Sequence, residues 1–405
     1  MKILTFTTLY PHAARPGHGI FVETRLRNLL ASGQVESKVV APVPWFPSSN
    51  PRFGKYAVLA GVPQEERRFG IDVMHPRYVT VPKLGMSIAP FLLAAGAYST
   101  VNSIIRRGYD FELIDAHYFY PDGVAAILLG RHFGKPVVIT ARGTDVNLIP
   151  RYRLPRAMIR WAAARAAGMI TVARALKDDL VSVGIPAERI DVLRNGVDLQ
   201  LFRPIDREAE RRKLGLTRTT LLSVGHLVPR KAHDLVIQAL RRLPDMDVII
   251  IGEGPERAAL GALAQGSGVG DRVRFAGALA QQELRNYYGA ADALVLASSR
   301  EGWANVLLES MACGTPVVAT DVGGSREVVA APESGVLIAE RTPEALADAV
   351  RRLFEHYPDR GATRRYAEQF SWDATTAGQL ELFGRILSTG ATVRHGYDQT
   401  QTRHR

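Results

Sequence analysis

Cysteine is almost absent: Cys313 is the only one in 405 residues, so no internal disulfide can form. Its place at the end of an apolar helix suits a buried thiol in a reducing compartment, not a nucleophile. Zinc-type Cys/His spacings are missing, as are the Asp-rich clusters that hold magnesium on a nucleotide, so metal-free catalysis without a cofactor is the expectation. The opening Met1-Lys2-Ile3-Leu4-Thr5-Phe6 carries one charge, and its short apolar run stops before Pro11. That fits a first buried strand better than a signal peptide, and a cytoplasmic protein is expected. The longest weakly polar stretch, 84–101, is interrupted by Ser87, Pro90, Ser99 and Thr100 and is marginal for a membrane span. It reads as a packed helix. No short repeat is visible.

What is present is the composition of a globular protein, 46% hydrophobic and 22% charged, and the length calls for two or three domains. The charge is one-sided. Residues 1–200 hold 25 lysines and arginines against 15 acidic residues, leaving 26 against 25 beyond. A basic first half is suited to an anionic membrane surface or a phosphorylated acceptor. Its densest cluster is Arg151, Arg153, Arg156 and Arg160, on a helix expected to run to 167. No nucleic-acid-binding motif accompanies it, so nucleic acid is not expected as a partner.

Apolar runs at 3–7, 39–41, 73–75, 113–116, 137–140 and 169–172 alternate with helix-like stretches, the pattern of a parallel α/β sheet. Alternation restarts after a charged segment at 203–216, with strands expected at 220–224, 248–251, 273–275, 293–296 and 317–319. Domains are therefore expected at 1–202 and 203–370. Helices follow at 343–354 and 362–387, with Ser371-Trp372-Asp373 as an interruption, and 391–405 reads as a disordered tail.

Several segments carry chemistry. Glu301 and Glu309 lie eight residues apart across a strand–loop–helix junction, Glu301 on the loop and Glu309 one turn into a helix over 305–313. Four residues separate Glu309 from Asn305, so the two share a face, near the amides that a helix start offers to an anion. The stretch Val224-Gly225-His226-Leu227-Val228-Pro229-Arg230-Lys231 takes a strand into a glycine turn and a basic pair, fit to neutralise a diphosphate leaving group. Gly252-Glu253-Gly254-Pro255 superficially suggests a dinucleotide fingerprint. Arg257 stands where the third glycine would be, which argues against nicotinamide binding. In the first half, Pro16-Gly17-His18-Gly19 follows the opening strand and permits close backbone approach to a ligand. His117 ends another strand, at the sheet edge where ligands of open α/β sheets bind.

Together these residues resemble the retaining glycosyltransferases of family four. The match rests on Glu301 to Glu309 (Glu-x7-Glu), continuing through Gly314-Thr315-Pro316 to Gly323-Gly324. It extends to Asn195-Gly196-Val197-Asp198, Gly252-Glu253-Gly254-Pro255 and Val273-Arg274-Phe275-Ala276-Gly277. The resemblance implies the α/β GT-B fold, two Rossmann-like doubly wound domains facing each other across a cleft. A C-terminal helix, 371–390, would cross back onto the N-terminal, acceptor-binding domain. It implies a nucleotide-diphosphate sugar as donor substrate and a saccharide or lipid-linked acceptor, at the inner face of a membrane.

Residue by residue, the resemblance gives Glu309 the ribose hydroxyls, Glu301 a place near the donor sugar, and Lys231 with Arg230 the diphosphate. The amides of Trp303, Ala304, Asn305 and Val306 would support donor hydroxyls or phosphate, and Gly252, Gly254 and Phe275 complete the donor side. Gly17, Gly19 and His117 would approach the sugar from the N-terminal domain. Two departures stand out. His226 occupies a position where arginine is common in the family. Arg142, in Thr140-Ala141-Arg142-Gly143-Thr144-Asp145, replaces a usual histidine and, with Asp145, puts a cation on the acceptor side. Competing readings are a sugar-nucleotide epimerase or phosphorolytic enzyme on the same scaffold, and a non-catalytic partner of another transferase.

Overall fold

The computed structural model describes residues 1–50, 52, 54–80 and 85–401. By contacts the chain divides into two compact units, Met1–Arg194 with Asp373–Arg405, and Asn195–Trp372.

The first unit is built on an eight-stranded sheet. In spatial order its strands are Ile190–Val192, Gly168–Thr171, Val137–Ala141, Leu113–His117, Lys2–Phe6, Glu36–Val40, Ile71–Met74 and Glu65–Arg68. Seven run parallel and Glu65–Arg68 pairs antiparallel at the edge. Leu113–His117 and Val137–Ala141 are buried at every residue, as expected where helices cover both faces of a parallel sheet. The order reverses between Lys2–Phe6 and Leu113–His117. Their carboxyl ends release 7–19 and 118–123, and Thr8 and Asp122 bridge the reversal: the Thr8 amide donates to Asp122 Oδ2 at 2.5 Å.

The sheet of the second unit is entirely parallel: Val273–Gly277, Met246–Ile251, Thr219–Val224, Ala293–Leu296, Val317–Thr320, Gly335–Ile338. Counted along the chain this is the order 3-2-1-4-5-6 of a dinucleotide-type doubly wound domain. Its switch point lies between Thr219–Val224 and Ala293–Leu296. From those two strand ends come the basic turn and the Glu301 loop.

The last helix, Trp372–Gln401, starts at the end of the second unit and continues as part of the first. There Leu382 and Phe383 join the core formed by Ile3, Val39, Leu113, Val138 and Ile170. Full burial of such side chains contributes about 1.5–3 kcal/mol each. The helix is described to Gln401, where the sequence had suggested disorder from 391. No proline follows Pro358 to stop it, and 402–405 lie outside the described residues. The first unit ends at Arg194 and not at 202, because 195–202 is tied into the second: the Val197 amide donates to the Phe370 carbonyl, and Arg364 donates to the carbonyls of Leu199 and Phe202.

The expected apolar helix spans Gly85–Arg106, and Leu84 lies outside the described residues. Leu93, Ala97, Val101 and Ile104 bury one face, while Phe91 and Tyr98 are exposed. By length and composition alone Met86–Arg106 is apolar enough to cross a membrane. The arginine-rich helix is shorter than expected, Arg153–Ala163. It buries Pro155, Ile159, Ala162 and Ala163 and leaves Arg153, Arg156 and Arg160 in solvent.

Candidate active site

At the switch point of the second unit, Thr219–Val224 passes through Gly225 into a short 3-10 turn, Pro229–Lys231, before the helix His233–Ala239. A Cβ on Gly225 would stand 3.3 Å from the Lys231 stem, so glycine lets that stem lie against the turn. From the neighbouring strand end the Glu301 loop folds over it. The Ser299 amide donates to the Arg230 carbonyl at 2.8 Å, and Arg230 Nη1 donates to the Arg300 carbonyl at 3.0 Å. Lys231 Nζ donates to Glu301 Oε1 at 2.6 Å, and Arg230 Nη1 lies 3.4 Å from the same oxygen.

Glu301 is 8% exposed. Burial alone would raise its carboxyl, but Lys231 and then Arg230 outweigh that and hold it below the usual carboxylate range. The result is an ionised acid clamped to two cations at a sheet edge where anionic ligands bind. Next to it, the helix Asn305–Ala312 starts without a side-chain cap, leaving its first amides to an anion. Trp303 and Ala304 are buried at this start, Asn305 and Val306 are half-buried, and Asn305 Oδ1 accepts from Asn195 Nδ2 at 3.3 Å. Glu309, one turn on, accepts from the Tyr288 hydroxyl at 2.8 Å. Burial pushes the Glu309 carboxyl up to about 7, against the opposing effect of that hydrogen bond. The two glutamates thus differ in charge state: Glu301 is held ionised, whereas Glu309 titrates near neutrality.

Gly252, Gly254 and Phe275, the remaining donor-side candidates, are placed by packing against the basic turn and the core. A Cβ on Gly252 (φ 141°) would fall 1.9 Å from the Gly225 carbonyl oxygen, and one on Gly254 would fall 2.3 Å from the Leu227 carbonyl oxygen. Both glycines therefore shape the turn that carries Arg230 and Lys231, and the Leu227 amide donates to the Glu253 carbonyl to fix it. Phe275 packs on the core with the Arg257 guanidinium 3.8 Å above its ring. His226 is exposed on the turn.

In the first unit, His117 is buried with both ring nitrogens engaged. Arg142 Nη2 lies 2.7 Å from Nδ1, and Asp115 Oδ2 is 3.3 Å from Nε2. Since arginine can only donate, Nδ1 accepts and Nε2 carries the proton. Burial, reinforced by Arg142 and opposed by Asp115, lowers the His117 pKa to about 4, so the ring is neutral at pH 7. The chain of contacts continues inward. Gln379 Nε2 donates to Asp115 Oδ2 at 2.9 Å, and Arg25 Nε donates to Gln379 Oε1 at 3.0 Å. Asp145 has a buried carboxylate that accepts from the amides of Phe119, Arg142 and Gly143 at 2.6, 3.1 and 2.7 Å and so braces the Arg142 loop. Arg142 is 8% exposed, its guanidinium 5.4 Å from the Phe21 ring centre.

Gly19 (φ 69°) requires glycine, because a Cβ there would fall 2.3 Å from the Leu9 carbonyl; around Gly17 the space is open. Asp122, Tyr288 and Gln379 were not singled out from the sequence. No local motif marks them, and Gln379 reaches its partners from 264 and 354 residues away.

Residues 57–201 match the family described as Glycosyltransferase Family 4, and residues 206–370 match glycosyl transferases group 1. The Bacillus subtilis protein TuaC, named for teichuronic acid biosynthesis, is 32% identical over 365 residues, 88% of this chain and 90% of its own. A D-inositol 3-phosphate glycosyltransferase of Frankia alni is 36% identical over 316 residues, 71% of this chain and 77% of its own. Among solved structures, sucrose-phosphate synthase from Thermosynechococcus elongatus superposes with a TM-score of 0.76 at 20% identity, over 96% of this chain and 99% of that one. Anabaena HepE in complex with UDP gives 0.72 at 20% identity, over 95% and 100%. At such identity the structural likeness concerns the fold.

Proposed function

Because the chain belongs to glycosyltransferase family 4 and has the GT-B fold, we propose that it moves a sugar from a nucleoside diphosphate sugar to a saccharide or lipid-linked acceptor with retention of configuration. The observation that carries this reading is the Lys231–Glu301–Arg230 cluster at the switch point of the second unit. A diphosphate needs fixed cations and free amides as its ester bond breaks, and Lys231, Arg230 and the start of Asn305–Ala312 provide both. HepE, of the same fold, has been solved with UDP and with UDP-glucose, which supports a uridine or related nucleotide here.

In this reading Glu309 accepts hydrogen bonds from the ribose hydroxyls, and Glu301 holds Lys231 in place and faces the donor sugar. The bond between the anomeric carbon and the phosphate oxygen breaks first, giving an oxocarbenium-like state. The acceptor hydroxyl attacks from the same face, and its proton passes to the departing diphosphate, so no protein nucleophile is used. Lys231 and Arg230 supply the positive charge, and turnover is proposed to need no divalent ion or cofactor. The first unit is proposed to bind the acceptor, with Gly17, Gly19, His117 and Arg142 on that side.

The product is proposed to be a cell-surface polysaccharide or glycolipid, made at the cytosolic face of the membrane. Exposed Arg151, Arg153, Arg156 and Arg160 beside exposed Tyr152 and Leu154 support that location. Binding to anionic vesicles that weakens as salt rises is the expected sign of such a contact. The deciding experiment on function is nucleotide release from a panel of nucleotide sugars, with and without a lipid or saccharide extract. Acceptor-dependent release from one donor is expected; equal consumption without acceptor would contradict transfer.

A further inference from the structure

A cavity lies in the first unit, apart from the His117–Arg142 network. It follows the carboxyl ends of three neighbouring strands, Lys2–Phe6, Glu36–Val40 and Ile71–Met74, and encloses about 220 Å³. Tyr10, His12, Arg15, His18, His75 and Tyr78 line it. That volume is below the roughly 300–1,000 Å³ of sites for whole drug-sized ligands, so it suits one terminal group of a larger molecule.

Its polar walls are unequally satisfied. His75 has both ring nitrogens engaged, Nδ1 2.9 Å from the Ala41 carbonyl and Nε2 2.8 Å from Glu66 Oε1. His18 Nε2 is spent on the Thr8 carbonyl at 3.0 Å. The acids near the cavity are also committed, Glu66 to His75 and Glu23 to Arg68 at 2.6 Å. In contrast, Tyr10 Oη and His12 Nδ1 find no hydrogen-bond partner among the described residues, although Tyr10 is 1% and His12 4% exposed. A buried polar atom left so calls for a hydrogen-bond partner, and these two stand together in the wall of one cavity. Burial first, then the basic groups around it, lowers the His12 pKa to about 4, so the ring is neutral. The Arg15 guanidinium on the cavity wall favours a negative charge brought in from outside.

We propose that this cavity is a subsite for an anionic oxygen group, a carboxylate or a phosphate monoester, carried by the molecule that receives the sugar. Tyr10 Oη donates to one oxygen, His12 Nδ1 to a second, and Arg15 neutralises the charge at the mouth. The link to the acceptor rests on the transferase reading; anion binding by the cavity does not.

The test is calorimetric titration of the full chain with inorganic phosphate, with acetate and with neutral glucose, at matched ionic strength in chloride. Phosphate and acetate separate the two sources of charge, and glucose controls for general sugar binding. Saturable binding of at least one anion is expected, weakened about tenfold or more in Tyr10→Phe, as for loss of one hydrogen bond to a charged group. Tyr10→Phe keeps the ring, and its affinity for a nucleoside diphosphate, bound in the second unit, should be unchanged and so certify the fold. Absence of anion binding up to tens of millimolar, equal binding by Tyr10→Phe, or glucose binding in place of the anions would overturn the proposal. Should the protein turn over no nucleotide sugar yet bind the anion through Tyr10, the transferase reading falls and the subsite stands.

Discussion

Replacing Lys231 by alanine separates two effects that the structure places on one atom pair. Lys231 Nζ touches Glu301 Oε1 at 2.6 Å, with side-chain exposures of 13% and 9%. Removing one member of a buried ion pair typically costs about 3–5 kcal/mol, because the other charge is left uncompensated. Arg230 still stands 3.4 Å from Glu301, so the stability loss should sit at or below the lower end of that range. The catalytic loss should be about 2.7–4 kcal/mol, a 10²- to 10³-fold drop in kcat, as for removal of one preorganised charge partner of a transition state.

The pH dependence distinguishes the two effects. Glu301 is held below its ordinary value, so its contribution to stability is complete above about pH 4.3, the unfolded glutamate value, and is lost as pH falls through the lower native value. The stability gap between wild type and Lys231→Ala should thus be widest at neutral pH and narrow in acid. Adding Glu301→Gln to Lys231→Ala should recover stability in urea denaturation without restoring nucleotide release. Turnover of Lys231→Ala within about threefold of wild type would refute the diphosphate assignment, given the 10²-fold minimum worked out above. Recovery of turnover in the double variant would show that Lys231 acts only through folding.

Glu309 should make nucleotide affinity pH-dependent: a carboxyl that titrates near 7 accepts the ribose hydroxyls best when ionised, so calorimetric affinity should rise from pH 6 to 8 in wild type and stay flat in Glu309→Gln. The native state holds this proton up to about 7 while the unfolded chain releases it near 4.3, so ionising Glu309 should lower stability as pH rises through that window. Gly252→Ala touches no proposed ligand atom, yet its Cβ would meet the Gly225 carbonyl at 1.9 Å. Strain of about 1–3 kcal/mol should appear in thermal unfolding, together with weakened nucleotide binding through the displaced Arg230–Lys231 turn; unaltered binding would separate that turn from the site.

The sequence exposed those parts of the fold that depend on local pattern. Runs such as 137–140, apolar but for Thr140, and 293–296, apolar throughout, both proved to be buried parallel strands. Glu65–Arg68 escaped notice because Glu-Glu-Arg-Arg has no apolar alternation; only its antiparallel pairing with Ile71–Met74 makes it a strand. Gly335–Ile338 is short and half-buried at the other sheet's edge, and gave equally little signal. The basic pair and Glu301 were legible from type and spacing, but their ion pair spans 70 residues of chain and emerges only from the 3-2-1-4-5-6 order. Gly252 and Gly254 were recognisable as special glycines, while their neighbours were not. A glycine that faces a ligand and one that faces another backbone turn look alike in one dimension.

The switch point of the second unit is proposed to bind a nucleoside diphosphate. Hydrogen–deuterium exchange with and without a saturating nucleoside diphosphate tests it peptide by peptide. Slower exchange is predicted over 225–232 and 299–309, where the basic turn and the start of Asn305–Ala312 would close on the ligand. Binding with no protection in either segment would contradict the account.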